Sequence, residues 1–339
     1  MKSLDIIIPT YKNKPGLYKT IFSLGINDRY NITIVDDCSG LNYDDVISYF
    51  EPFHNINVLY LEKNSGPGVA RQYGIDNTSG DLILFVDTGD VMMGPDSVER
   101  MLDTFSSCEE WAEVLFGAHS EEYLNGDVGI VENSHNRLHG KLFKRSFLDK
   151  FNIRFPEICS RKNEDLGFCL LIRFIDQEIR ELTGQGIIAF TNESYILWKH
   201  DDDSLVRRNE YAFYYKEQNM GMAMASCYAY EKARELGVRD EIINDCAYNF
   251  FIAAYFYYLM TSHTRPEFIE ESFEGALYFY KNWFRKLPSI DEELLLQEYY
   301  RNLQDYVNNP SLQTKIINLT FIQFLQMLET ECLKEENNL

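Results

Sequence analysis

The chain has no run of apolar residues approaching the roughly 18 that a membrane-spanning helix needs. Its richest stretch, Phe250 to Met260 (FFIAAYFYYLM), reads as a buried helix. The opening residues, MKSLDIIIPTYK, hold an apolar run before Pro9 that is too short for a signal peptide. Positive charge is scarce. Lys and Arg number 32 against 53 Asp and Glu, a formal net charge of −21. Such a surface repels phosphate backbones and anionic lipid heads, which excludes general nucleic-acid binding. The seven cysteines are odd in number, scattered and without a C-x-x-C pair, so neither a disulfide framework nor a zinc knuckle is expected. Fixed-period repeats, low-complexity tracts, a P-loop and G-x-G-x-x-G are also absent. What is abundant is aromatic bulk, with 23 Tyr and 23 Phe among 45% apolar residues, enough for large cores. At roughly 150 residues per domain, a chain of 339 residues has room for about two.

The first half alternates short β-branched runs with helical spacings. Leu4 to Ile8, Ile32 to Val35, Ile56 to Leu61 and Asp81 to Val86 read as buried strands. Gly16 to Leu24, Asp44 to Phe50 and Pro67 to Ile75 read as the helices between them. Repeated β-α-β units give a mostly parallel sheet covered by helices, with ligands at the carboxyl edge of the strands. After about Asn209 the texture becomes long helical patterns rich in Tyr, Phe, Leu and Glu, four or five packed helices in all. The division is therefore an α/β domain over 1–208 and an all-α domain over 209–339. The acidic run Glu329 to Glu336 reads as a solvated end.

Four constellations can carry chemistry. Acidic turns end two strands, Asp36-Asp37 and Asp87-Thr88-Gly89-Asp90. Carboxylates there can accept from a base or ribose, or hold a hard cation. Asn64 to Arg71 (NSGPGVAR) is a glycine-bearing turn into a helix, suited to a phosphate. Asn163-Glu164-Asp165 opens an apolar helix, where an acid can cap or can act as a general base. Trp198-Lys199-His200-Asp201-Asp202-Asp203-Ser204 places the His200 imidazole beside three Asp and near Ser204, a candidate metal ligand.

In this order the words IIIPTYKNKPGLYKTIFSL, ITIVDDCSG, NSGPGVARQYGID, SGDLILFVDTGDVM, HGKLFKRSFL and NEDLGFCLLI resemble the nucleotide-sugar glycosyltransferases of family 2, with the GT-A fold. The likeness covers residues 2–208. It implies that Pro9 and Tyr11 border the nucleotide base and that Asp37 accepts from a uracil-like N–H. It places Asn64 and Arg71 on the nucleotide or sugar, and makes Asp87 the first acid of a D-x-D turn. Asp165 is then the base that deprotonates an acceptor hydroxyl, giving inversion. Mg²⁺ or Mn²⁺ is expected on Asp90 and His200, with Lys199, Arg207 and Arg208 as nearby cations. Two departures stand out: Gly89 occupies the third position of the acidic turn, and Gln72 follows the Arg.

The resemblance implies a UDP-sugar donor and a glycan, polymer or protein acceptor, reached over residues 123–139. The acidic composition, with no membrane anchor expected, favours work in the cytoplasm or at the inner membrane face. The helical domain could extend the acceptor groove, pair two copies, or only stabilise the enzyme. Gly89 motivates a second reading, a catalytically impaired GT-A-fold protein that binds nucleotide or sugar without turnover.

Overall fold

The strand Leu4–Thr10 (β1) is buried along its whole length, as a central parallel strand covered on both faces must be. The computed structural model describes residues 2–27, 30–123, 125–132, 134–159, 161–199, 211–307 and 319–337. His200, Ser204, Arg207 and Arg208, named above from the sequence, lie outside them. The chain divides into two compact units, Met1–Arg207 and Arg208–Leu339.

In the first unit the elements alternate through α1 (Lys14–Ser23), β2 (Tyr30–Asp36), α2 (Asp44–Phe50), β3 (Asn55–Tyr60), α3 (Pro67–Asp76) and β4 (Leu82–Phe85). There follow β5 (Val91–Met92), α4 (Ser97–Ser106), β6 (Val114–Glu122), β7 (Val128–Val131), β8 (Lys141–Lys144), α5 (Arg145–Lys150), α6 (Glu164–Thr183) and β9 (Ile188–Trp198). They form one nine-stranded sheet, ordered β3-β2-β1-β4-β8-β6-β9-β5, with β7 beside β6. The first four strands pair in parallel. Beyond β4 the sheet turns mixed: β8 runs antiparallel to both β4 and β6, while β6 and β9 are parallel. The sequence reading identified the parallel part and had no strand for this insertion.

Alternation along β1 sorts its side chains. Ile6 and Ile8 join a core with Leu17 and Ile21 of α1 and Val46 of α2. Ile7 faces α3 on the other side, where a Cβ on Gly74 would lie 2.5 Å from its Cγ2. Glycine there lets the helix lie close on the sheet. β8 is locked beside β4 by Arg145, whose guanidinium bonds Asp5 (2.9 Å) and the carbonyls of Ile75 and Gly80 (2.7 Å each).

The second unit comprises α7 (Tyr211–Glu235), α8 (Asp240–Thr264), α9 (Ile269–Asn282), α10 (Glu292–Val307) and α11 (Phe321–Asn337). Its core is aromatic: Phe251 packs on Phe284 at 4.4 Å, Tyr230 on Trp283 at 5.0 Å and Tyr255 on Phe324 at 5.4 Å. The acidic run near the end is the solvent-facing part of α11, with Glu329 (2.9 Å) and Glu336 (2.6 Å) on Arg285. Among the described residues, no helix is long and apolar enough to cross a membrane.

Candidate active site

Two acidic turns leave the carboxyl ends of the strands that flank β1. After β2, Asp37 donates its N–H to the Thr10 carbonyl (2.9 Å) and accepts from two backbone amides. Its Oδ1 takes the Ser65 N–H at 2.6 Å and its Oδ2 the Gly66 N–H at 2.8 Å. Burial raises its proton affinity, and the two amides oppose that rise. Asn64 lies against the same turn, donating to the Asp37 carbonyl (3.3 Å) and accepting from Arg161 (3.2 Å). Pro9 is buried in β1, and its carbonyl accepts from the Thr88 hydroxyl at 2.7 Å. Tyr11 is 46% exposed just beyond the strand.

The turn after β4 is built differently. Gly89 has φ of 108°, a backbone conformation that favours glycine. Its N–H donates to the Thr20 hydroxyl (2.9 Å), which itself donates to the Asp90 carbonyl (2.7 Å). The departure at Gly89 therefore has a backbone cause. Asp87 remains 39% exposed at its side chain and receives Arg71 at 2.6 Å. Arg71, on α3, is buried, and its other terminal nitrogen bonds Glu164 at 2.7 Å.

Glu164 and Asp165 reach this place because α6 starts there. An aromatic cluster seats the helix: Phe168 stacks on Phe155 at 4.3 Å, and Phe85 of β4 meets both edge-on. Residues four apart share a helix face, so seating Phe168 also directs Glu164 inward. Burial pushes Glu164 up to about 7 against the pull of Arg71. Burial also raises Asp165, with Arg71 and His139 opposing. For Asp87, burial is outweighed by Arg71 and then His139, so its carboxyl is held below the ordinary range. For Asp90, burial prevails and the carboxyl is raised.

A residue without an assigned role in the sequence reading joins them. His139 precedes β8, and its Nε2 lies 3.0 Å from Asp90 Oδ2. Asp87, Asp90 and His139 each offer a ligand atom, and these atoms lie within 4.8 Å of one another. The other Asp90 oxygen faces the backbone N–H of Lys199 at 3.4 Å, so the contact is made by main chain and not by the ammonium. The His139 ring packs against His119 at 5.1 Å and Trp198 at 5.6 Å, and Arg137 lies 4.5 Å over Trp198. His119 is fully buried, neither ring nitrogen has a hydrogen-bond partner among the described residues, and burial pushes it down to about 3. The signal for His139 was inside the quoted word HGKLF. Its relevance depends on β8 pairing with β4, which spacing does not reveal.

The structure thus gathers Arg71, Asp87, Asp90, Glu164 and Asp165 with His139. It places Asp37 and Asn64 at the other turn. Chemically, the first group offers a carboxylate–imidazole set for a divalent cation and a buried acid pair beside it.

Comparison with known proteins agrees with this arrangement. Residues 5–154 match the family described as glycosyl transferase family 2. TuaG of Bacillus subtilis strain 168, named as a teichuronic acid biosynthesis glycosyltransferase, is 30% identical over 103 residues, 30% of this chain and 40% of that protein. TarS of Staphylococcus aureus strain Mu50, a poly(ribitol-phosphate) beta-N-acetylglucosaminyltransferase, is 30% identical over 95 residues, 26% of this chain and 17% of that one. The chain thus spans less than half the length of these two relatives. The crystal structure of TarS residues 1–349 with UDP-GlcNAc superposes with TM-score 0.53 at 16% identity, covering 85% of this chain and 94% of that one. A mannosyltransferase of Pyrobaculum calidifontis, solved with GDP-Man and Mn²⁺, gives TM-score 0.50 at 11% identity, covering 98% and 87%. The structural likenesses establish a GT-A fold followed by a helical region. The match to glycosyl transferase family 2 lies over the strands that carry both acidic turns, residues 5–154, and TuaG and TarS are similar to this chain over part of its length.

Proposed function

We propose that this chain transfers a sugar from a UDP-sugar to a hydroxyl of a cell-surface polymer, with inversion at the anomeric carbon. The observation that carries the reading is the Arg71 bridge, 2.6 Å to Asp87 and 2.7 Å to Glu164. It joins the donor-side turn to the acid pair at the start of α6. TarS, solved with UDP-GlcNAc and named for a ribitol-phosphate polymer, supports the donor and acceptor classes.

In this reading Pro9, Tyr11, Asp37 and Asn64 border the nucleotide base. Arg71 acts on the donor side mainly by fixing Asp87. Asp165 removes the proton from the attacking hydroxyl, and its burial-raised affinity suits a base that must take a proton at that moment. Attack from the face opposite the diphosphate inverts the anomeric centre, through an oxocarbenium-like transition state. Asp87, Asp90 and His139 would hold Mn²⁺ or Mg²⁺, which when bound supplies positive charge for the departing diphosphate. The polymer approaches over residues 123–139, from the cytoplasmic side. The unit over 1–208 carries the chemistry, and the helical region over 209–339 is a separate domain.

The test is UDP release from UDP-sugars by the wild type and Asp165→Asn. We expect turnover to fall by about 10²- to 10⁴-fold with UDP binding retained. Equal turnover in the two would remove Asp165 as base. Gly89 favours one other reading, a nucleotide-binding protein without turnover. UDP binding with no donor consumption by the wild type would establish that one instead.

A further inference from the structure

We propose that His139 is the third protein ligand of the divalent-cation site, standing in for the carboxylate missing at Gly89, and that its nitrogen makes the site prefer Mn²⁺ to Mg²⁺. This rests on the transferase reading above and names the ligand set and metal choice of that site.

The β4 turn cannot supply a third carboxylate. At φ 108° Gly89 sits where any side chain is strained, and its N–H is held by Thr20 at 2.9 Å. A ligand must therefore come from another element. β8, antiparallel to β4, brings the two residues before it alongside the turn. The first of them is His139, with Nε2 at 3.0 Å from Asp90 Oδ2. The ligand atoms of Asp87, Asp90 and His139 lie within 4.8 Å of one another. That span suits one ion with bonds of about 2.0–2.2 Å, since opposite ligands then stand roughly 4.2 Å apart.

The ring is not free to turn away. It packs on His119 at 5.1 Å and on Trp198 at 5.6 Å, and Trp198 is itself covered by Arg137 at 4.5 Å. Such packing is what holds a ligand in register with its ion. The ligand chemistry then sets the preference. Mg²⁺ favours an all-oxygen octahedron and gives up water reluctantly. Mn²⁺ stays compatible with carboxylates and water and tolerates an imidazole better than Mg²⁺ does. The alternative is a plain His139–Asp90 hydrogen bond, which would compete with a cation for Asp90.

The experiment is Mn²⁺ binding to the full chain, read by the electron paramagnetic resonance of free Mn²⁺, with UDP present and with Mg²⁺ as competitor. Wild type, His139→Ala and His139→Asp are compared, with circular dichroism to confirm folding. We expect His139→Ala to weaken Mn²⁺ by about tenfold or more, the scale of losing one ligand from a weak three-ligand site. His139→Asp should keep Mn²⁺ within a few-fold and bind Mg²⁺ better, so that the Mn²⁺-to-Mg²⁺ preference narrows. Unchanged or tighter Mn²⁺ binding by folded His139→Ala would overturn the proposal while leaving the transferase reading intact. A preference unchanged in His139→Asp would overturn the metal choice. Wild type that binds neither UDP nor Mn²⁺ would instead overturn the transferase reading, and this proposal with it.

Discussion

The acidic turns after β2 and β4 look alike in sequence and do opposite things with their charge. At the first, all four carboxylate oxygens of Asp36 and Asp37 are met by uncharged donors. Tyr43 and the Ser39 amide serve Asp36, at 2.7 and 2.9 Å, and the Ser65 and Gly66 amides serve Asp37. Such a turn is a splice that pins a loop to a strand end. At the second, Asp87 faces Arg71 and Asp90 faces His139. A guanidinium and an imidazole are exchangeable partners that leave those carboxylates available to a metal cation. What separates the two is the donor each oxygen meets, and the donors come from residues far along the chain.

The contrast can be broken most directly at its ends. Asp37→Ala leaves two amides without acceptors, at about 1–3 kcal/mol for each buried donor. We expect urea unfolding to show a loss of about 2–4 kcal/mol, with the Mn²⁺-induced rise in melting temperature still present. Asp90→Ala should do the reverse, abolishing the Mn²⁺ response while metal-free stability changes little, because its buried carboxyl is held at an unfavourable protonation balance. If both variants lose stability and keep the metal response, the two turns are not different in kind.

A smaller effect sharpens the comparison from beneath the second turn. His119 is held at about 3 against an ordinary 6.5, chiefly by burial. A histidine lowered on folding contributes stability that is whole above its unfolded value and is lost as pH falls toward the folded one. Between pH 7 and pH 5 this site should therefore cost the wild type on the order of 2 kcal/mol. His119→Phe should flatten that decline in paired melts at the two pH values. An equal decline in both proteins would assign the acid sensitivity elsewhere. Smallest is Gly89→Ala, where a side chain at φ 108° should cost about 1 kcal/mol or slightly more. A neutral result in urea would mean that the turn relaxes.

The parallel strands were legible as short apolar runs, three of which (β1, β2 and β4) meet a Pro or an Asp at or near their carboxyl ends. Lys141 to Lys144 and the two-residue β5 carry no such pattern, so the insertion of β8 between β4 and β6 was not legible. The same gap concealed His139, which touches the β4 turn only through that pairing. Asp165 was readable as an acid at a helix start. Arg71 was readable as a cation near a helix start, but its two carboxylate partners were not. Glu164 lies 93 residues away along the chain, and no local spacing encodes a bridge of that length. The sequence showed the acids of Asp36-Asp37 without showing the amides and the tyrosine hydroxyl that meet their oxygens.

Thr20 carries no charge and sits on a helix that contributes no acid or base to the site. Its hydroxyl nevertheless receives the Gly89 amide and reaches the Asp90 carbonyl, 70 residues along the chain. Serine could make the same two bonds, whereas valine, nearly identical in shape, could make neither. Mutational tolerance at this position should therefore follow hydrogen-bonding capacity and ignore volume. A library screened for function would mark it as intolerant for reasons that its distance from the reacting groups would not suggest.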